Sequence, residues 1–276
     1  QILCGNGAAD LIFRLVWAKK PRRALVTAPT FAEYATALES VGCTVERFFL
    51  REQEDFAVTD AFCAAIRPGV DMVFLCQPNN PTGQLTALPL VEQIFHRCAA
   101  CGTLLVVDEC FLDFLPDHPL HTAKGLLGEG DLVILKAFTK LYGMAGVRLG
   151  YALSADTALL EQMQACGQPW GVSRQAAGLA ALEETAYVEN VRALIAEQRP
   201  SLTAGLRALG LRVLDGRANY LLLQAPETLG EALRQRGAVL RSCANYPGLG
   251  PGWYRTAVRT GPENEQLLKL LAEVLE

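Results

Sequence analysis

Phe138-Thr139-Lys140-Leu141-Tyr142-Gly143-Met144-Ala145-Gly146-Val147-Arg148-Leu149-Gly150-Tyr151 comes shortly after the apolar run Leu132-Val133-Ile134-Leu135. A lysine therefore stands just past a strand-like segment, and an arginine follows eight residues later in a glycine-rich turn. Lysine in such a place is either a solvated surface charge, the usual fate of that residue, or an amine held in a cleft to form a Schiff base with an aldehyde cofactor. The spacing inside this segment leaves both readings open. The segments upstream decide between them.

Gln77-Pro78-Asn79-Asn80-Pro81-Thr82-Gly83 and Val106-Val107-Asp108-Glu109-Cys110-Phe111 each end or follow an apolar run. In this order, and with the 138–151 segment behind them, they resemble the pyridoxal-phosphate enzymes of aminotransferase fold type I. The resemblance implies that Lys140 carries the cofactor, that Arg148 holds its phosphate and that Asp108 meets its pyridine nitrogen. The residue types suit those tasks. The cofactor is an electron sink, and a buried carboxylate at Asp108 favours the protonated ring nitrogen. Asn80 has an amide to donate to the ring's phenolic oxygen. Arg148 offers a planar fork matched to phosphate oxygens. Lys140 must be neutral to attack, whereas a free lysine titrates near ~10.4, so burial and imine formation are expected there.

The chain's first residues extend the same picture. Gly5-Asn6-Gly7-Ala8-Ala9-Asp10 is small and flexible, and Leu11, Ile12, Leu15 and Val16 follow at helical spacing. A glycine turn opening a helix presents free N–H groups and the positive dipole end to an anion. Ala8 and Ala9 are thus candidate backbone donors to the phosphate, with the Thr139 hydroxyl beside them. Phe31 matches the position where the family stacks an aromatic ring on the cofactor; its alternative is plain core packing.

The sequence alternates strand-like runs (Ala24–Thr27, Thr44–Phe49, Met72–Cys76, Leu104–Val107, Leu132–Leu135, Arg148–Leu153) with helical patterns such as Phe31–Val41 and Leu90–Ala100. That repetition argues for an α/β fold with a mostly parallel sheet, and the candidate residues fall at the carboxyl ends of its strands, where such sheets bind ligands. The division expected is a large cofactor domain over 1–175, a connecting helix over 176–199 ended by Pro200, and a smaller α+β domain over 200–276. The last of these carries Leu211–Leu214, Ala218–Leu223, a helix near Leu229–Arg234, Val239–Ser242, Tyr254–Thr260 and a final helix from Pro262.

The composition, with 51% hydrophobic and 20% charged residues, is that of a globular chain with a sizeable core. A net charge of −4 argues against nucleic acid and anionic membranes as partners. No apolar run is long enough to span a bilayer, and no signal-peptide pattern is visible. Nine cysteines, several of them in apolar runs, suit buried thiols in a reducing cytoplasm. The one Cys-x-x-Cys, Cys98 and Cys101, has no second pair to complete a zinc site. Cys98 shares helical spacing with Leu90, Val91, Ile94 and Phe95, so it is expected on a buried face. No metal is expected.

Arg241-Ser242-Cys243-Ala244-Asn245-Tyr246-Pro247-Gly248-Leu249 and Trp253-Tyr254-Arg255-Thr256-Ala257-Val258-Arg259 place arginines on neighbouring strand-like runs, where two forks could grip a dianionic substrate. These segments, with Gly216–Leu223, Phe31–Tyr34 and Gln168-Pro169-Trp170, resemble the L-threonine-O-3-phosphate decarboxylase family of cobalamin biosynthesis, close in fold to the histidinol-phosphate aminotransferases. The resemblance implies Arg255 at the substrate carboxylate and Arg241 at its phosphate. It also implies loss of carbon dioxide from Cα to give (R)-1-amino-2-propanol O-phosphate, and a homodimer. Spacing alone does not separate decarboxylation from transamination.

Two departures stand out. Ala137 occupies a place where the family has Ser or Thr, and Phe111 one where aminotransferases have Tyr. Relatives also carry several dozen residues ahead of the glycine turn, an arm and loops that close over substrate. A chain starting at Gln1 is therefore expected to lack the arm and to bind or turn over less well, with a non-catalytic protein on the same fold as a further alternative.

Overall fold

A computed structural model describes residues 1–168 and 172–275, with the side chain of Val172 left out. Pro169 and Trp170, which carry part of the resemblance, lie outside the described residues.

Seven strands form the larger sheet: β1 (Ile2–Gly5), β2 (Arg23–Ala28), β3 (Thr44–Phe49), β4 (Met72–Cys76), β5 (Leu104–Asp108), β6 (Leu132–Ala137) and β7 (Gly150–Leu153). Their spatial order is β1-β7-β6-β5-β4-β2-β3. The pairs β2·β3, β2·β4, β4·β5 and β5·β6 are parallel, while β7 runs antiparallel to both β6 and β1. β4 and β5 are buried along their whole length. That explains why their sequences are continuous apolar runs and not alternating ones.

Helices cover both faces. α1 (Ala8–Lys19) and α2 (Glu33–Glu39) pack one face through Leu11, Ile12, Leu15 and Leu38. α3 (Ala61–Ala65) and α4 (Leu88–Cys101) cover the other through Phe62, Val91, Ile94, Phe95 and Cys98. Cys98 therefore sits on the buried face of its helix, as its spacing predicts. α5 (Phe138–Leu141) follows β6 directly, and α6 (Thr157–Ala165) follows β7.

Then come α7 (Val172–Glu183) and the long α8 (Thr185–Ala208). The second sheet has the order β10-β11-β9-β8, from β8 (Arg212–Val213), β9 (Tyr220–Gln224), β10 (Arg241–Ser242) and β11 (Trp253–Ala257). α9 (Leu229–Gln235) and α10 (Gly261–Leu275) complete this part. Leu202 and Leu206 of α8, Leu221 and Leu223 of β9 and Leu271 of α10 share its core.

Three sequence expectations change. Pro200 does not end a helix: it lies inside α8. The proline removes one backbone donor, but Ile195, Leu202 and Leu206 bury the flanking turns, and tertiary packing outweighs the lost bond. Ile2–Gly5 is an added strand, held by four residue pairs to β7. The strand-like run beginning at Arg148 starts only at Gly150, because Arg148 takes a left-handed conformation with φ +56°. Among the described residues no helix is long and apolar enough to cross a membrane.

Candidate active site

The carboxyl ends of β1, β2, β4, β5 and β6 and the start of β7 lie along one edge of the large sheet. Asp108 is the last residue of β5 and pairs in register with Cys76 at the end of β4. It is only 5% exposed. Its Oδ2 accepts a 2.6 Å hydrogen bond from the Tyr34 hydroxyl, and its Oδ1 accepts the Cys110 N–H at 3.0 Å. Tyr34 is fully buried and stacks on Phe74, with ring centroids 4.7 Å apart. Burial first, and then the Asp108 charge, push its phenol well above the ordinary tyrosine range. Tyr34 therefore remains a donor, and the carboxylate is held in place from two sides.

Lys140 lies on α5, whose inward side is Phe138 and Leu141. Thr139 and Lys140 are consequently left toward the cleft, and Lys140 is exposed, where burial had been expected. Its Nζ sits 4.8 Å from the centroid of the Phe111 ring. The phenylalanine that replaces the usual tyrosine thus presents a π face to the amine.

Across the cavity, Gly7 turns the chain into α1 with φ +89°, and no side chain caps the helix. The first N–H groups of α1, those of Ala8 and Ala9 among them, remain unspent at its positive end. The Arg148 guanidinium lies against this turn: a Cβ on Gly7 would stand 3.0 Å from its Nη2. Gly150 makes the approach possible. A Cβ there would fall 2.7 Å from the Ala8 nitrogen and 2.8 Å from the Lys136 carbonyl oxygen.

Ala8, Ala9, Phe31, Asn80, Asp108, Phe111, Thr139, Lys140 and Arg148 line one cavity, together with Ala137, Cys76 and Cys110. All nine residues expected at a cofactor are thereby brought together. Phe31 meets Tyr34 edge-on at 5.5 Å and packs on the core, as its alternative reading expects, while also lining the cavity. Burial, followed by the nearby Asp108 charge, raises the Cys76 thiol to about 12 and the Cys110 thiol well above its ordinary value. Both stay neutral beside the carboxylate.

A second cavity adjoins the first, and Phe111 and Lys140 line both. Arg241 and Arg255 line its far side and are register partners across β10 and β11. Arg255 donates from Nη1 to the Asn80 side-chain oxygen, and its guanidinium lies 4.9 Å from the Tyr220 ring centroid. Arginine can only donate, so this contact fixes the Asn80 amide with its NH2 turned away from the arginine. Arg241 donates to the Asn245 oxygen at 3.1 Å and is exposed.

Sequence spacing gives no role to Tyr34, Tyr220 or Lys136. Tyr34 lies 74 residues from Asp108, and only the packing of α2 on the sheet joins them. Tyr220 meets the Phe111 ring edge-on at 5.1 Å and donates to the Asn79 carbonyl at 2.9 Å. Lys136, 1% exposed, bridges Glu109 at 2.9 Å and Asp113 at 2.8 Å. Burial alone would lower its pKa, but the two carboxylates raise it above the ordinary lysine range. A charged residue in an otherwise apolar strand was the available signal.

The donor set fits pyridoxal phosphate. Unspent helix N–H groups and a guanidinium suit the phosphate, an amine suits the aldehyde, an amide suits the phenolic oxygen, and a buried carboxylate suits the ring nitrogen.

Comparison with known proteins agrees with this chemistry. Residues 1–274 match the family model of aminotransferase class I and II. The chain is 40% identical to the threonine-phosphate decarboxylase of Salmonella typhimurium over 99% of its own length and 77% of that protein's. It is 34% identical to the histidinol-phosphate aminotransferase of Symbiobacterium thermophilum, covering 99% and 76% respectively. The crystal structure of the histidinol-phosphate aminotransferase from Clostridium acetobutylicum superposes with a TM-score of 0.92 at 26% identity, covering 99% of this chain and 83% of that one. The chain belongs to the class I and II aminotransferase family, whose enzymes depend on pyridoxal phosphate.

Proposed function

We propose that the chain decarboxylates L-threonine O-3-phosphate to (R)-1-amino-2-propanol O-phosphate. One observation carries this reading: Arg241 and Arg255 stand paired across two strands, facing a cavity that shares Lys140 and Phe111 with the cofactor cavity. Two guanidinium groups at that spacing suit a small substrate with an anion at each end. The 40% identity to a threonine-phosphate decarboxylase supports the same choice.

Bound pyridoxal phosphate supplies an aldehyde for the substrate amine and a ring that takes up the electron pair of the bond broken at Cα. The protein's own residues set which bond that is. Arg255 holds the carboxylate, and its tie to Asn80 keeps the carboxylate site and the cofactor's oxygen site in a fixed relation. Arg241 takes the phosphate. Asp108, oriented by Tyr34 and the Cys110 N–H, holds a proton on the ring nitrogen. Lys140, exposed at the boundary of the two cavities, is placed to return a proton to Cα once carbon dioxide has left.

A transaminase acting on histidinol phosphate is the second reading, favoured by the TM-score of 0.92 with such an enzyme. Product analysis separates the two. Cofactor-loaded protein mixed with L-threonine phosphate should yield the amino alcohol phosphate with no oxo acid present. Conversion of 2-oxoglutarate to glutamate with histidinol phosphate, and no amino alcohol phosphate, would decide for the transaminase.

The working unit under this reading is a cytoplasmic homodimer. Leu179 and Leu182 of α7 and Tyr187 of α8 are exposed apolar or aromatic side chains on consecutive helices, suited to burial against a second copy.

A further inference from the structure

We propose that Arg174 is a positioning residue that fixes the anion-binding end of the cofactor cavity by stapling its two halves together. The proposal rests on reading that end as the seat of the cofactor phosphate.

The two halves come from distant parts of the chain. One is the Gly5-Asn6-Gly7 turn that opens α1. The other is the 144–148 turn, which delivers Arg148. Arg174 reaches both from the first turn of α7. Its Nη1 donates to the Asn6 side-chain oxygen at 2.6 Å, across 168 residues of sequence, and its Nε donates to the Val147 carbonyl at 3.1 Å. Asn6 in turn is tied to α1, its backbone N–H donating to Asp10 Oδ2 at 2.8 Å. Val147 directly precedes Arg148, whose left-handed conformation (φ +56°) no glycine relieves. A non-glycine residue holds that conformation only where its neighbours enforce it, and the hold on the Val147 carbonyl is one such restraint.

α7 is seated for this task. Gly178, one helical turn after Arg174, lies so close to the same segment that a Cβ would come within 2.5 Å of Leu149 Cδ2. The position also opposes the helix's own electrostatics. A cation in the first turn of a helix faces the positive end of the dipole, and α7 carries no acidic residue there to offset it. Among the described residues, the Asn6 side-chain oxygen and the Val147 carbonyl are the two acceptors that offset this for the arginine. Lysine carries its donors on one nitrogen at the end of a flexible stem and does not reproduce the two separately aimed N–H groups, on Nη1 and Nε, that reach these two acceptors.

Arg174 touches neither of the cavities described above. Its effect must pass through Asn6 and Val147 to the Gly7 turn and Arg148, so it should register in affinity for the phosphate and not for the aldehyde or the ring. The test titrates the apo-protein with pyridoxal phosphate and, separately, with phosphate-free pyridoxal, following imine absorbance. Arg174→Met should weaken pyridoxal phosphate roughly tenfold, as expected for losing charge-assisted contacts that order a site, and leave pyridoxal within about twofold. Asn6→Ala should act in the same direction, and the double variant should be no weaker than Arg174→Met alone. Arg174→Lys should remain impaired.

Equal losses for both aldehydes, full recovery in Arg174→Lys, or multiplying effects of the two substitutions would each overturn the staple. If the wild-type chain takes up neither aldehyde, the cofactor reading fails instead. The staple is then read with inorganic phosphate, which should raise the melting temperature of the wild type but not of Arg174→Met. An equal rise in both rejects it.

Discussion

Arg255 of β11 donates from its guanidinium to the side-chain oxygen of Asn80, which follows β4 in the other sheet. The contact joins the expected carboxylate-binding arginine to the expected partner of the cofactor's phenolic oxygen. Replacing Arg255 by lysine keeps the charge but removes the planar fork that can serve substrate and Asn80 together. We expect KM for L-threonine phosphate to rise at least about tenfold in Arg255→Lys, with cofactor affinity changed much less. Steady-state kinetics beside a cofactor titration measures both.

Tyr34→Phe removes the 2.6 Å donor to Asp108 and nothing else of comparable size. The buried carboxylate then keeps the Cys110 N–H but loses its phenol. The expected cost is about 1–3 kcal/mol of stability, read as a lower midpoint in urea. Unchanged stability would mean that water replaces the hydroxyl at no cost.

Lys136 is the sole cation within salt-bridge distance of Glu109, a carboxylate with no solvent exposure, among the described residues. Lys136→Met leaves that charge uncompensated and should destabilise the chain by about 3–5 kcal/mol. Lys136→Met with Glu109→Gln should recover part of the loss. The pH dependence has a definite sign. Because the folded-state pKa of Lys136 lies above the ordinary 10.5, its contribution is complete below pH 10.5 and is lost only as pH rises through the higher folded value. Wild-type stability should therefore show an alkaline fall beginning above about pH 10.5 that Lys136→Met lacks.

Much of the candidate site was legible because its parts follow strand ends at short, regular offsets: Asp108 closes β5, and Lys140 comes three residues after β6. Asn80 and Arg148 sit in turns, and Ala8 directly follows one, whose glycines and prolines mark them in the sequence. The rest depends on approach between elements far apart in the chain. Tyr34 reaches Asp108 only because α2 lies on the sheet, and Arg174 reaches Asn6 only because α7 folds back over the first turn. Strand limits moved where a single residue's backbone decided them, as at Arg148. Pro200 misled because local propensity yields to a well-buried helix face.

Gly150→Ala should damage the anion-binding end specifically. Its Cβ would meet three backbone atoms, the Ala8 nitrogen, the Gly7 carbonyl carbon and the Lys136 oxygen, at 2.7–2.8 Å. Backbone atoms cannot swing aside as side chains do, so either α1 or β6 must shift. We expect affinity for pyridoxal phosphate to fall by at least about tenfold, with strain of about 1–3 kcal/mol appearing in the melting temperature. Gly42→Ala also replaces a glycine but has nothing within 4 Å. It should leave cofactor affinity unchanged, its own strain at φ +75° appearing only in stability.

The central claim is that Lys140, Asp108, Arg241 and Arg255 form a decarboxylase centre. The most direct measurement is release of labelled carbon dioxide from carboxyl-labelled L-threonine phosphate by the cofactor-loaded protein, without any oxo acid, in the wild type and in Lys140→Ala. Steady release by the wild type, abolished in Lys140→Ala, is the predicted result. Retention of the label in the amino acid, or its transfer to an oxo acid product only when 2-oxoglutarate is supplied, would contradict the account.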